Sequence, residues 1–117
     1  MGAPVVWFEV AGRDLDTLKS FYETLFGWKV DANNPMRYGM VDTGAEGGIP
    51  GGIFAPADDA DEYVSFYVAV PSIKAALEQA ERLGAKVVQP RTEIEAGPTV
   101  AMLDDPEGHR IGLIEEG

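Results

Sequence analysis

The sequence contains no cysteine, a single histidine and no long uninterrupted apolar run. The absence of cysteine excludes disulfides, thiolate metal sites and cysteine nucleophiles, although it does not fix the compartment. No apolar run approaches the length of a membrane span, and the first residues lack a basic segment. We therefore expect a cytoplasmic protein with no membrane partner. The one histidine, His109, directly follows a turn and is expected to face solvent rather than act as a general base.

Basic residues are also scarce, with nine Lys and Arg against twenty Asp and Glu, for a formal net charge of −11. Binding to phosphate backbones needs clustered basic side chains, so the composition argues against a nucleic-acid partner. Such acidity is typical of a protein kept soluble by its charge. Steering of a cationic ligand is the alternative interpretation.

The chain of 117 residues, 45% of them hydrophobic, is long enough for one domain with its own core. Its apolar pattern falls into two similar halves, each read as strand, helix, strand, strand, strand. We predict one domain over residues 1–117, made of a module at 4–56 and a module at 62–116. Two βαβββ modules predict an α+β fold in which a curved mixed sheet encloses a cleft and carries the helices on its outer face.

Capping and turn residues set the predicted element bounds. Asp14 and Ser72 are helix N-caps, and Gly27 and Gly84 end the two helices. The acidic stretch 55–61 has the composition of a linker. The predicted strands are 5–10, 28–30, 37–42, the region near 53–54, 63–70, 85–88, 98–103 and 110–114.

Glycine is concentrated between Gly44 and Gly52. This stretch lacks the ending and the strand-to-helix context of a phosphate-binding loop. We expect a mobile loop at the mouth of the cleft instead.

Several segments together resemble the vicinal-oxygen-chelate superfamily (glyoxalase, bleomycin resistance protein and dioxygenase), and most closely its short glyoxalase-like bacterial members. The segments are Val6-Trp7-Phe8-Glu9-Val10, Asp14-Leu15, Phe21-Tyr22, Leu25-Phe26-Gly27-Trp28 and 105–113. The resemblance implies paired βαβββ modules and a homodimer with clefts near or across its interface. It also implies a range of chemistries, including hemithioacetal isomerisation, catechol cleavage, fosfomycin modification, thioester epimerisation and drug sequestration, and the fold does not choose among them.

The resemblance further implies a divalent ion held by about four side chains, mostly His and Glu. Carried over by position, these ligands fall at Trp7, Ser65, Gly112 and either Gly52 or Ile53. Indole, glycine and isoleucine side chains do not coordinate such ions, and a lone serine is a weak ligand. We therefore expect no metal and no other cofactor.

Strand alternation predicts which side chains would line the cleft instead. Val6, Phe8 and Val10 would pack under the first helix, which leaves Trp7 and Glu9 on the concave side. By the same alternation, Val64, Phe66, Val68 and Val70 would pack under the second helix. The predicted ligand-binding residues are Trp7, Glu9, Tyr38, Phe54, Ser65, Tyr67, Met102 and Arg110. Alternation leaves the facing of Tyr38, Phe54 and Met102 open.

An aromatic wall with an acid, a hydroxyl and a guanidinium suits a small hydrophobic or aromatic molecule, cationic ones included. The leading prediction is therefore a metal-free small-molecule-binding protein that holds its ligand in the concave aromatic cleft. One alternative is a metal-dependent lyase or isomerase resembling lactoylglutathione lyase, or an extradiol-type dioxygenase, with atypical ligands. A second alternative is a structural dimer module whose cleft is closed because Trp7 and Tyr67 fill the space of the lost metal.

Overall fold

The computed structural model describes residues 2–116, and the strand–helix–strand–strand–strand order occurs in each half of them. The first half contains β1 (Val5–Ala11), α1 (Leu15–Phe26), β2 (Lys29–Asp31), β3 (Gly39–Asp42) and β4 (Gly51–Phe54). The second half contains β5 (Tyr63–Val70), α2 (Ile73–Arg82), β6 (Lys86–Glu93), β7 (Thr99–Asp104) and β8 (Arg110–Glu115). The predicted α+β class and the two βαβββ modules are confirmed.

Contacts divide the chain into two compact units. The first unit is formed by residues 7–64, which include the first two residues of β5. The second unit is formed by residues 65–116 together with residues 2–6. Among the described residues, neither helix has the length and apolar character needed to cross a membrane.

The first unit is a mixed sheet with strand order β2-β3-β4-β1 and α1 on one face. β1 and β4 are parallel, whereas β3 is antiparallel to both β2 and β4. Phe8 and Val10 pack toward the helix, as alternation predicted. The buried core under α1 consists of Val10, Leu15, Val30, Val41 and Ile53.

The ends of α1 are fixed by the residues that the sequence suggested. The Asp14 side chain accepts a hydrogen bond of 3.0 Å from the Thr17 amide, which satisfies a free N–H of the first turn. The same amide holds the pKa of the Asp14 carboxyl below its usual value. Gly27 adopts a left-handed φ of 71° and donates its amide to the Glu23 carbonyl, ending the helix.

The second unit is a mixed sheet with strand order β5-β8-β7-β6, in which only the β5–β8 pair is parallel. Its buried core consists of Ile73, Ala101, Leu103 and Leu113, with Val68 and Val70 packed against it. The prediction that Val64 and Phe66 also pack under the second helix is wrong, because they are 75% and 40% exposed. The physical reason is that α2 lies over β6, β7 and β8, so that only the last part of β5 reaches its core.

β6 is longer than predicted, because it continues through Pro90 to Glu93. Proline lacks the N–H that an interior strand must donate, so it is tolerated on edge strands and at bulges. β6 is last in its unit's strand order, and its pairing with β7 shifts register between Val87 and Gln89 and again between Gln89 and Thr92. Both features admit Pro90 within the strand.

Candidate functional site

Each unit's sheet has a face opposite its helix, here called the helix-free face. In the first unit, Trp7 and Glu9 lie on this face, since Phe8 and Val10 face α1. The β1–β4 register pairs Glu9 with Gly52 and Ala11 with Phe54. Phe54 therefore lies on the same face, which its ambiguous alternation in the sequence left open.

A buried carboxylate is the centre of this face. The Glu9 side chain belongs to a residue only 5% exposed, and its Oε2 accepts a 2.6 Å hydrogen bond from the Tyr38 hydroxyl. Its Oε1 accepts a hydrogen bond from the Tyr63 hydroxyl. The Trp7 indole Nε1–H donates to Tyr38 Oη at 3.0 Å. We call Trp7, Glu9, Tyr38 and Tyr63 the Glu9 cluster.

The Tyr38 ring lies directly over Gly52. A Cβ added at Gly52 would overlap the hydroxyl and the ring carbons of Tyr38, so this approach requires glycine. The Phe54 ring flanks Tyr38 with its centroid 5.3 Å away and a tilt of 41°. On the opposite face, the Phe8 ring packs over Gly51 in the same way, and an added Cβ there would overlap the ring.

These contacts correct one part of the glycine-loop prediction. Gly51 and Gly52 are buried residues of β4, not part of a mobile loop at a cleft mouth. Glycine is needed there for ring packing rather than for loop movement. The exposed Gly44 and Gly47, which have φ of 71° and 86°, are turn glycines.

A turn before β3 presents Tyr38. The Asn34 side chain accepts from the Tyr38 amide at 2.9 Å and donates to the Tyr38 carbonyl at 2.7 Å. Arg37 has a left-handed φ of 51°, and its guanidinium contacts Asp16 at 3.1 Å. β3 consequently begins at Gly39 rather than at Arg37, because a left-handed residue interrupts extended backbone.

Tyr63 is a site residue that the sequence analysis missed, although a signal for it existed. It alternates in phase with Ser65 and Tyr67, the residues of β5 that were assigned to the concave side. The segment before it is held by Arg13, which contacts Glu62 at 2.6 Å and donates to the carbonyls of Asp58 and Ala60. No sequence signal indicated that this acidic segment would be anchored by an arginine.

The second unit places Ser65, Tyr67, Met102 and Arg110 on its own helix-free face, since Leu113 and Leu103 face α2. Tyr67 is 8% exposed and its ring covers Gly112, where an added Cβ would lie 2.5 Å from Tyr67 Cδ2. The β7–β8 register pairs Met102 with Gly112. A tyrosine therefore covers a glycine of the last strand in this unit, as Tyr38 covers Gly52 of β4 in the first.

Two polar side chains of this second face, Ser65 and Arg110, form hydrogen bonds with residues of the same unit. Ser65 is 6% exposed, and its Oγ donates to the Arg110 carbonyl at 2.6 Å. Arg110 Nε donates to Asp104 Oδ1 at 2.7 Å, with both side chains largely buried. The Ser65 hydroxyl thus stabilises the backbone of β8, and the Asp104 carboxylate orients the Arg110 guanidinium.

His109 lies on the turn that joins β7 to β8. It is exposed, as predicted, and its Nδ1 lies 3.0 Å from the Asp105 carboxylate. The His109 backbone amide also donates to Asp105 and is the main cause of an Asp105 pKa below its usual value. These contacts stabilise the turn.

A family model described as a glyoxalase-like domain matches residues 7–114. The chain belongs to this family. Its vicinal-oxygen-chelate assignment is thereby confirmed. No curated protein matches the chain significantly.

Solved structures share the fold of this glyoxalase-like protein at low sequence identity. A methylmalonyl-CoA epimerase from Mycobacterium tuberculosis is 16% identical with a TM-score of 0.67, over 97% of this chain and 87% of that one. A superfamily member from Vibrio splendidus 12B01, described as glyoxalase/bleomycin resistance protein/dioxygenase, is 15% identical with a TM-score of 0.65, over 98% and 100%. A hypothetical protein from Bacillus halodurans C-125 is 13% identical with a TM-score of 0.73, over 100% and 96%.

The glyoxalase-like family implies a divalent ion, so we tested whether the residues present fit one. In the first unit, Trp7 offers an indole N–H, Gly52 is covered by Tyr38, and Ile53 is fully buried in the core. In the second unit, the Ser65 hydroxyl donates to a carbonyl and Gly112 is covered by Tyr67. Across residues 2–116, no three His, Asp or Glu side chains form a group that could hold a metal ion. The donor set does not fit the ion.

Proposed function

We propose that this protein binds a small aromatic or hydrophobic molecule, cationic ones included, at the Glu9 cluster and without a metal ion. The observation that carries the proposal is a buried carboxylate that accepts hydrogen bonds from two tyrosine hydroxyls on an aromatic face. Ligand sites commonly combine such a surface with a few polar groups that fix orientation.

Burial of a carboxylate is costly unless hydrogen bonds compensate it, so a protein does not need one merely to fill space. An apolar side chain at position 9 would fill the same volume without that cost. Glu9 instead accepts hydrogen bonds from two oriented tyrosine hydroxyls, and a few polar groups placed on an aromatic surface are typical of a ligand site. The cluster therefore favours a binding site over a closed structural module.

The aromatic neighbours indicate the class of ligand. Trp7, Tyr38 and Phe54 lie on the same face as Glu9. Aromatic faces stack on planar molecules, and together with a carboxylate they attract organic cations. The absence of a metal ion from the proposal is supported by the residues at the expected ligand positions. An indole, glycines and a serine hydroxyl that already donates to a backbone carbonyl lie where the family resemblance implies His and Glu.

The first test is a thermal-shift screen of aromatic, cationic and thiol-conjugate compounds, followed by calorimetric titration of each stabiliser. A ligand present at 100 times its Kd should stabilise the folded state by about 2.7 kcal/mol. Glu9→Gln should weaken binding of a confirmed ligand about tenfold, because a hydrogen bond to a charged group contributes about 1.5–3 kcal/mol.

Glu46→Gln is the matched control, since Glu46 is exposed on a turn and its replacement removes the same charge. Binding by this variant should equal that of the parent protein. A screen without any stabiliser, or equal affinities for the two variants, would contradict the proposal.

A further inference from the structure

We propose that Tyr38 occupies the ligand position of the Glu9 cluster from within the chain, and that the molecule that displaces it is a neutral phenol. This inference rests on the proposed function and narrows its ligand class. It follows from the hydrogen bonds around one oxygen atom, from the surface under one ring and from the segment that carries that ring.

The Tyr38 hydroxyl oxygen stands between a donor and an acceptor. It accepts from Trp7 Nε1 at 3.0 Å and donates to Glu9 Oε2 at 2.6 Å. An ammonium group cannot accept from the indole, an ether cannot donate to the carboxylate, and an anion is repelled by it. A neutral hydroxyl satisfies both partners through one atom, so a hydroxyl is the incoming group that reproduces the hydrogen bonds of Tyr38.

The surface under Tyr38 requires that this hydroxyl be attached to a flat ring. Gly52 has no side chain, and a single added Cβ would overlap the Tyr38 ring. Phe54 limits the space at the side, with its ring centroid 5.3 Å from that of Tyr38. A slot of this shape admits a planar aromatic group, whereas a branched aliphatic alcohol would meet the backbone of β4.

The Tyr38 ring can leave the Glu9 cluster without disturbing the core, while the Asn34 side chain keeps the Tyr38 backbone in place. Tyr38 is not among the buried core residues under α1 or the side chains packed against them. The preceding turn contains Met36, which is 75% exposed, and Arg37, which is exposed in a left-handed conformation. Displacement of the ring therefore breaks the hydrogen bonds of one side chain and leaves the packed core intact.

The experiment removes the internal phenol and supplies one from solution. Tyr38→Ala is titrated with 4-methylphenol, which is the tyrosine side chain without its backbone, and with toluene, which lacks only the hydroxyl. The readout is the NMR signal of the Trp7 indole N–H, assigned with Trp7→Phe. We expect 4-methylphenol to shift this signal and to bind at least about tenfold tighter than toluene, because a site built around a hydroxyl rejects the analogue without one.

The matched control is the double variant Tyr38→Ala with Gly52→Ala. The added Cβ occupies the slot over β4, so binding of 4-methylphenol should be lost while the protein remains folded. In the parent protein, 4-methylphenol must compete with Tyr38. It should bind more weakly there and retain its preference over toluene, and this measurement serves if Tyr38→Ala fails to fold.

Equal binding of 4-methylphenol and toluene, or unchanged binding in the double variant, would overturn the inference. If non-phenolic ligands from the screen bind at Trp7 and Tyr38→Ala shows no hydroxyl preference, the proposed function stands and the inference fails. If the parent protein binds neither the screened compounds nor 4-methylphenol, the proposed function and the displacement of Tyr38 both fail, whatever Tyr38→Ala binds.

Discussion

At the scale of single residues, two glycines decide where two tyrosine rings lie. Gly52 and Gly112 occupy the last strands of the two modules, and Tyr38 and Tyr67 cover them. Gly112 is a position at which the family resemblance implies a metal ligand, and Gly52 is one of two candidates for another. At both glycines a ring fills the space beside the strand where a ligating side chain would begin.

Gly112→Ala should destabilise the fold by about 1–3 kcal/mol, because an extra carbon in a packed region forces its neighbours out of place. The nearest atoms are Tyr67 Cδ2, Cε2 and Cγ, which are close to the backbone of β5 and cannot simply swing aside. Urea unfolding measures the free energy of unfolding. The effect should shrink in the background of Tyr67→Ala, so the two changes would be non-additive; additive effects would contradict this account.

Alternation along a strand predicted the facing of Trp7 and Glu9, since β1 is regular and the helix takes every second side chain. The facing of Tyr38 could not be predicted in this way. It precedes β3, after a left-handed residue, and no strand period extends through such a turn. Tyr63 could have been predicted, because it shares its phase with Ser65 and Tyr67.

At the scale of elements, α2 begins at a junction of three segments. The Ser72 side chain accepts from the Ala75 amide, and Glu115 of β8 accepts from the Ile73 amide at 2.9 Å. Arg91 of β6 contacts the same carboxylate at 2.8 Å. The Arg91 guanidinium, followed by the Ile73 amide, holds the pKa of Glu115 below its usual value.

A carboxyl group whose pKa is lowered by folding stabilises the fold above its ordinary pKa of 4.5, and this contribution is lost as pH falls through the lowered value. Glu115→Gln should therefore reduce stability at neutral pH and reduce the loss of stability on acidification below pH 4.5. Urea unfolding midpoints across that interval measure both effects. Glu116→Gln, an exposed neighbour of equal charge, is the control and should change the midpoints less.

The sequence predicted both helices closely, because a capping side chain marks each start and a glycine lies at or just after each end. The sequence-based prediction was wrong where strand length and side-chain burial depend on how the elements pack together. The strand predicted at 85–88 continues through Pro90 to Glu93, because a sequence does not reveal which strand will lie at an edge. Val64 and Phe66 were assigned to the core because alternation does not reveal how far a helix extends along a strand.

At the scale of the whole molecule, the net charge of −11 favours weak attraction of metal ions, whereas the absence of ligating side chains at the expected positions opposes tight binding. An acidic surface attracts cations loosely, whereas tight binding needs a fitted donor set. After incubation with nickel, zinc, manganese and ferrous iron and then desalting, elemental analysis should find only background amounts of each metal. A stoichiometric metal would disprove this prediction and favour the lyase or dioxygenase alternative.

Assembly as a homodimer, which the family resemblance implies, stays a prediction. Phe21, Leu25 and Phe26 of α1 are 54–59% exposed, which is apolar surface that a second copy would cover. Light scattering should give a mass near twice 12.6 kDa, and Phe21→Glu should lower it by placing a charge in that surface. A monomeric mass in the parent protein at every concentration would exclude the dimer.

The tyrosine over Gly112 also has a historical consequence. Any side chain placed at that position, a metal-binding histidine or glutamate included, would start within the ring of Tyr67. A protein with both Tyr67 and Gly112 does not regain a ligand at position 112 by one substitution, because the Tyr67 ring must be removed first. Removal of the ring alone leaves a cavity. Once both changes are in place, the return of a ligating side chain at position 112 alone requires two steps, the first of which is unfavourable.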